Sequence, residues 1–185
     1  MPNDPDRTGP PERTPPRPVS AAYLERAALA YLERYASSTG NLRRVLRRKI
    51  EKRCRLRGED PDPFYPLIED VIARAIRAGL VDDTRYAEAR VASLRRRGGS
   101  ARAIQAKLAA KGVDRETVAA ALAQEEGDRE AEEEAAAHAL ARRRRLGPYR
   151  TGERRAYRDK DMASLARAGF SYAVARSVVD GEARG

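Results

Sequence analysis

Apolar residues recur three and four positions apart along most of this chain, the spacing that lines up one face of a helix. Leu24, Ala28, Tyr31, Leu32 and Tyr35 mark a first run. Leu42, Leu46 and Ile50 mark a second, which starts near Asn41 and extends to about Leu56 as a basic rod. A Gly- and Pro-containing segment, Gly58 to Pro63, breaks it. A third run opens near Pro66, a favourable first-turn proline, and carries Ile68, Val71, Ile72, Ala75 and Ile76. Tyr86, Ala87, Val91 and Leu94 follow an Asp82/Asp83 cap, and Gly98-Gly99 then turns the chain into a helix over Ser100–Lys111. Asp114 starts another over Thr117–Gln124. An alanine-rich helix runs from the acidic stretch Glu125–Glu134 to the basic Arg142–Arg145, the charge order that suits a helix dipole, and Gly147-Pro148 stops it. Two last helices are predicted around Lys160–Ala168 and Ser171–Asp180. Alternating strand patterns are absent, so the expectation is an all-α chain of nine helices.

Three corners share one device: Gly79-Leu80-Val81-Asp82, Gly112-Val113-Asp114 and Gly169-Phe170-Ser171. A glycine leaves the helix, an apolar residue folds back on it, and an Asp or Ser caps the next helix. The chain also aligns with itself. Ser38-x3-Leu42-x3-Leu46 matches Ser100-x3-Ile104-x3-Leu108, and Leu108-Ala-Ala-Lys-Gly112-Val113-Asp114 matches Leu165-Ala-Arg-Ala-Gly169-Phe170-Ser171 without a gap. The first two copies share a capping serine; the last two share a glycine corner. Three diverged three-helix repeats are therefore predicted, over 21–81, 82–125 and 126–185, stacked in an elongated, curved array.

Composition supports small cores. Aromatic residues make up only 5% of 185 residues, and charged residues 36%. One cysteine, Cys54, excludes an internal disulfide and fits a reducing cytoplasm. No apolar run approaches the ~20 residues that cross a bilayer, so no membrane role is expected. Residues 1–20 hold seven of the eleven prolines and are expected to form a disordered tail. The expected state is a soluble cytoplasmic monomer.

The residues of a catalyst or a metal site do not assemble in this sequence. The single histidine, His138, lies on an alanine-rich helix, and one His with one Cys cannot make a structural zinc site. Gly98-Gly99-Ser100 lacks the lysine of a phosphate-cradling loop. Glu130, Glu132, Glu133 and Glu134 point different ways around a helix and are expected to be a solvated first turn. No cofactor and no enzymatic activity are expected.

Positive charge is the chemistry that remains, at a net +10. Arg43, Arg44, Arg47 and Arg48, with neighbouring lysines and arginines up to Arg57, crowd the second helix. Like charges four apart repel there by about 0.2–0.5 kcal/mol per pair unless an anion relieves them. A second set is Arg95, Arg96, Arg97, Arg102, Lys107 and Lys111; a third includes Arg143, Arg144, Arg155 and Arg158. A basic patch on each unit favours contact with a long anionic object.

The spacing Leu80-Val81-Asp82-Asp83-x-Arg85-Tyr86-Ala87, with Arg96-Arg97-Gly98 and Ile104-x3-Leu108-x2-Lys111-Gly112-Val113-Asp114, resembles the central repeat of the RecX family of bacterial recombination regulators. Leu165-Ala-Arg-Ala-Gly169-Phe170-Ser171-Tyr172-x-Val174 resembles that family's third repeat. The resemblance spans roughly residues 21–181. It implies three tandem three-helix units that lodge in the groove of the RecA–single-stranded DNA filament, contact its DNA, and limit its ATPase and strand-exchange activities in recombination, repair and the SOS response. The chain departs from the family pattern in its first unit, which has the insertion Glu59–Pro66 and no glycine corner after Ile50. It departs again at Asp161, where an apolar residue is expected and Met162 is the candidate replacement, and in its Pro-rich tail. The alternative function is stand-alone DNA binding, with Ser100–Lys111 and Asp114–Gln124 as a helix-turn-helix. Arg115, Glu116, Ala119, Ala120, Ala123 and Gln124 offer few base-reading groups, so that binding is expected to be weak, salt-sensitive and not sequence-specific.

Overall fold

The computed structural model describes residues 15–124 and 128–184, and among these it contains nine α-helices and no strand. The helices are α1 (Ala21–Leu32), α2 (Thr39–Arg57), α3 (Pro66–Arg77), α4 (Asp83–Arg96), α5 (Ala101–Ala109), α6 (Arg115–Ala123), α7 (Arg129–Arg144), α8 (Arg158–Arg167) and α9 (Tyr172–Asp180). Their buried stripes form three separate cores. Leu24, Leu42, Leu46, Ile50 and Ile72 belong to the first, in unit one (α1–α3). Val91, Ile104, Leu108, Val118 and Leu122 belong to the second, in unit two (α4–α6). Ala137, Leu140, Leu165, Val178 and Val179 belong to the third, in unit three (α7–α9). Each fully buried Leu or Ile contributes roughly 1.5–3 kcal/mol, so even these small cores suffice once neighbours share the load.

Local signals fixed most boundaries. Asp82, Ser100, Asp114 and Ser171 each cap a helix by accepting an N–H three residues on, at 2.8–3.2 Å. Three positions expected on buried faces are otherwise placed, and the first, Tyr35, lies past the end of α1 and is 57% exposed. Ile76 and Leu80 are 50% and 47% exposed, and Val81 enters the core instead. The Leu80 N–H still bonds back to the Ala75 carbonyl at 2.9 Å. This corner has one more residue before its cap than the other two, and that residue is the one turned inward.

The tail expectation also changes at its inner edge. Val19 is buried in the first core, and the carbonyls of Pro16 and Arg17 accept from Arg57 and Arg53 at 2.7 and 2.9 Å. Residues 15–20 are therefore tied to α2, while the expectation for residues 1–14 lies outside the described residues.

Neighbouring units dock by one repeated contact. Ser38, which caps α2, donates from Oγ to the Lys111 carbonyl at 2.5 Å. Ser100, which caps α5, donates to the Ala168 carbonyl at 2.7 Å. Each carbonyl belongs to the residue just before the corner glycine of the following unit. Gly112 has φ +78°, and a Cβ there would lie 2.8 Å from the Gly40 Cα, so only glycine fits on both counts. The capping serine and the glycine corner are thus two halves of one joint. Unit one docks on unit two through its serine, and unit three receives unit two through its corner. Among the described residues unit one has no glycine–apolar–cap corner after α2, and unit three has no serine before α8.

Candidate polyanion-binding surface

Of the fourteen arginines and lysines singled out as a binding surface, the structure removes one outright. Arg95 is 7% exposed; its Nη1 donates to Glu133 Oε2 at 2.6 Å and to the Gly99 carbonyl at 3.2 Å. It cannot lie against a polymer. Its position four residues after Val91 puts it in phase with the buried face of α4, and Glu133 on α7 meets it there. Glu133 also accepts from the Ala101 N–H at 3.1 Å, so this carboxylate caps α5 from the next unit. Glu134 accepts from Ser177 and, at 2.7 Å, from Arg184. The glutamates expected to be a solvated turn therefore include two that fasten the structure.

Three more are neutralised where they stand. Arg43 makes a two-pronged pair with Glu69 at 2.6 and 2.8 Å, and that hydrogen bonding holds the Glu69 carboxyl below its ordinary range. Arg47 pairs with Glu51 at 3.2 Å and stacks 4.5 Å over the Tyr65 ring. Arg158 grips Asp180 at 2.7 and 2.8 Å. Unit three spends other arginines on its own scaffold as well. Asp161 is 1% exposed, and its carboxylate accepts from the Gly147 N–H at 2.8 Å and from Arg150 at 2.6 Å. Burial alone would raise its pKa, but the Arg150 and Gly147 hydrogen bonds prevail and hold it below the usual range. Met162 is buried beside it, as expected. Asp161 is thus an anchor for the 145–157 connection, where an apolar residue could not hold Arg150.

Ten remain exposed: Arg44, Arg48, Arg96, Arg97, Arg102, Lys107, Lys111, Arg143, Arg144 and Arg155. None pairs with a carboxylate among the described residues. They fall into two concentrations and a few singles. At the joint of units two and three, Arg97 and Lys107 share a cleft with Arg143 and Arg144. In unit one, Arg48 rims a groove of about 510 Å³ between α1 and α2, together with Lys49, Lys52 and Arg53. Its floor includes Tyr31, placed by spacing on the apolar face of the first helix, and Tyr23, which the apolar spacing did not single out. The Arg53 guanidinium lies 3.6 Å over the Tyr23 ring. Interleaving of tyrosines on α1 with cations on α2 was the available signal, but it needs the two helices side by side.

His138 is buried, with Nδ1 3.0 Å from the Tyr149 hydroxyl. Burial lowers its pKa, followed by the nearby Arg184 charge, so it is a packed neutral partner. Cys54 is buried in the first core, and burial pushes its thiol pKa up. Among the described residues no group of three or more His, Cys, Asp or Glu could hold a metal ion, and no helix is long and apolar enough to cross a membrane.

Fold and surface together define a class: tandem three-helix units locked in series, with exposed, uncompensated cations. Comparison with known proteins narrows it. Residues 82–122 match the family model described as RecX, second three-helix domain. The chain is 44% identical over 173 residues to a regulatory protein RecX of Myxococcus xanthus, covering 91% of both chains. It is 38% identical over 137 residues to one from Agrobacterium fabrum, covering 72% of this chain and 71% of that one. The crystal structure of RecX from Lactobacillus salivarius superposes with a TM-score of 0.60 at 22% identity, over 86% of this chain and 94% of that chain, a likeness of fold. The chain belongs to the RecX family of regulatory proteins.

Proposed function

We propose that this protein regulates homologous recombination and DNA repair in the cytoplasm by lying in the groove of the RecA–single-stranded DNA filament. It limits ATP hydrolysis and strand exchange by occupancy, as a single chain and with no chemistry or cofactor of its own. The observation that carries this reading is the series of like joints, Ser38 to Lys111 and Ser100 to Ala168. They hold three units in a fixed order while the ten exposed cations stay free to meet a polyanion. A repeating partner suits a repeating protein, since each unit can address one step of the filament. Positive charge also speeds the encounter with a filament built on a phosphate backbone.

The test is RecA-catalysed ATP hydrolysis and strand exchange on single-stranded DNA with the purified chain added. Inhibition at amounts below those of RecA is expected, with the chain visible along the filament by electron microscopy. Unchanged rates at equimolar protein would exclude this function and leave stand-alone, salt-sensitive DNA binding as the reading.

A further inference from the structure

We infer that the cleft at the joint of units two and three is a seat for the phosphodiester backbone of single-stranded nucleic acid. This deepens the filament reading and rests on it for the source of the strand. The cleft holds about 360 Å³ and is walled by both units. Arg97, at the C-terminal end of α4, and Lys107 on α5 come from one side; Arg143 and Arg144, in the last turn of α7, come from the other. No Asp or Glu among the described residues lines it. Arg97, Lys107 and Arg143 have no hydrogen-bond or ion-pair partner among the described residues, and Arg144 reaches only the Ser164 hydroxyl at 3.2 Å. Four cations converge here with no carboxylate in the described lining. Such a convergence repels itself until an anion enters.

The floor indicates which anion. Gly98, Gly99, Ala103 and Ala168 leave little side chain in the way, and Leu94 and Leu140 add an apolar base. Gly98 packs directly on α7 beside this floor: its φ is +74°, and a Cβ would lie 2.5 Å from the Leu140 nitrogen. A narrow strand with regularly spaced phosphates fits such a trench, its sugars over the apolar base and its oxygens against the guanidinium forks. An acidic protein face would bring each carboxylate on its own bulky side chain, and a duplex is too wide to enter.

The test compares the full chain with R97Q/K107Q/R143Q/R144Q and with R77Q/R85Q/R90Q/R115Q, a control that removes equal charge from exposed positions outside either basic concentration. Affinity for fluorescent oligo-dT is read by anisotropy over roughly 50–200 mM salt, with thermal melts to show that both variants fold. The cleft variant should bind about tenfold or more weakly, and its plot of log affinity against log salt should flatten by about 2–3, at ~0.7 for each phosphate no longer neutralised. The control should keep most of the affinity. Equal losses in both variants would overturn the inference, because net charge alone would then explain them. Normal DNA binding by the cleft variant with lost inhibition of RecA would also overturn it, assigning the cleft to protein instead. Cleft-dependent DNA binding by a wild-type chain that leaves RecA untouched would uphold the cleft and exclude the filament reading.

Discussion

The two joints of this molecule are built on the same hydrogen bond and closed by different means. At the first, Thr39 donates from its backbone N–H and its hydroxyl to Asp83 at 2.8 and 2.6 Å, and Gly40 meets Gly112 backbone to backbone. At the second, Ala101 stands where Thr39 stands, and Glu133 serves both its N–H and the buried Arg95. In both, a carboxylate from the next unit's first helix meets the N-terminus of the second helix before it, where the helix dipole favours negative charge. The first joint is a close backbone fit with a light polar clasp. The second adds a buried ion pair to a close backbone approach of its own, Gly98 to Leu140, and it is the one that opens into a basic cleft. A shared lock can therefore be kept while its surroundings specialise.

Four single substitutions and one double variant probe the two joints. Gly112→Val should cost the most, about 3–4 kcal/mol, by combining a β-branched residue at positive φ with a collision against Gly40. Thermal or urea unfolding should show it, with increased hydrogen exchange where α2 meets α5; a loss below about 1 kcal/mol would mean that the first joint is not closed by backbone contact. Glu133→Ala should cost about 2–3 kcal/mol, less than the 3–5 expected for a fully buried pair. Arg95 keeps the Gly99 carbonyl, and Glu133 is itself partly solvated. Replacing Arg95 as well with Met should recover part of that loss, and a double variant no better than Glu133→Ala would refute the pairing as its cause. The smallest effects belong to the shared bond: Ser38→Ala and Ser100→Ala should each lose about 1–2 kcal/mol. They share no partner, so their losses should add within about 0.5 kcal/mol. A marked departure from additivity in urea titrations would show that the joints act as one.

Much of the helical layout was legible because its causes are local. A cap, a corner glycine and an apolar stripe act within a turn or two, so Ser100, Gly112 and Ile104 declare their roles to their own neighbours. Arg95 was legible in principle too, since it continues the phase of Ala87 and Val91. A run of three arginines at a helix end hides that phase, because the last turn also suits basic residues facing solvent. Asp161 could be seen as an oddity but not as an anchor, since Arg150 and Gly147 reach it only after the 145–157 connection folds back.

By itself, then, the sequence determined that the chain is helical, that its units repeat, and that it is strongly basic, because backbone preference and charge are properties of nearby residues. Tertiary structure alone decided which serine meets which corner, across 73 and 68 residues, and which cations are spent on carboxylates. Both depend on surfaces that exist only when two units are in contact, and the cleft between units two and three is of the same kind.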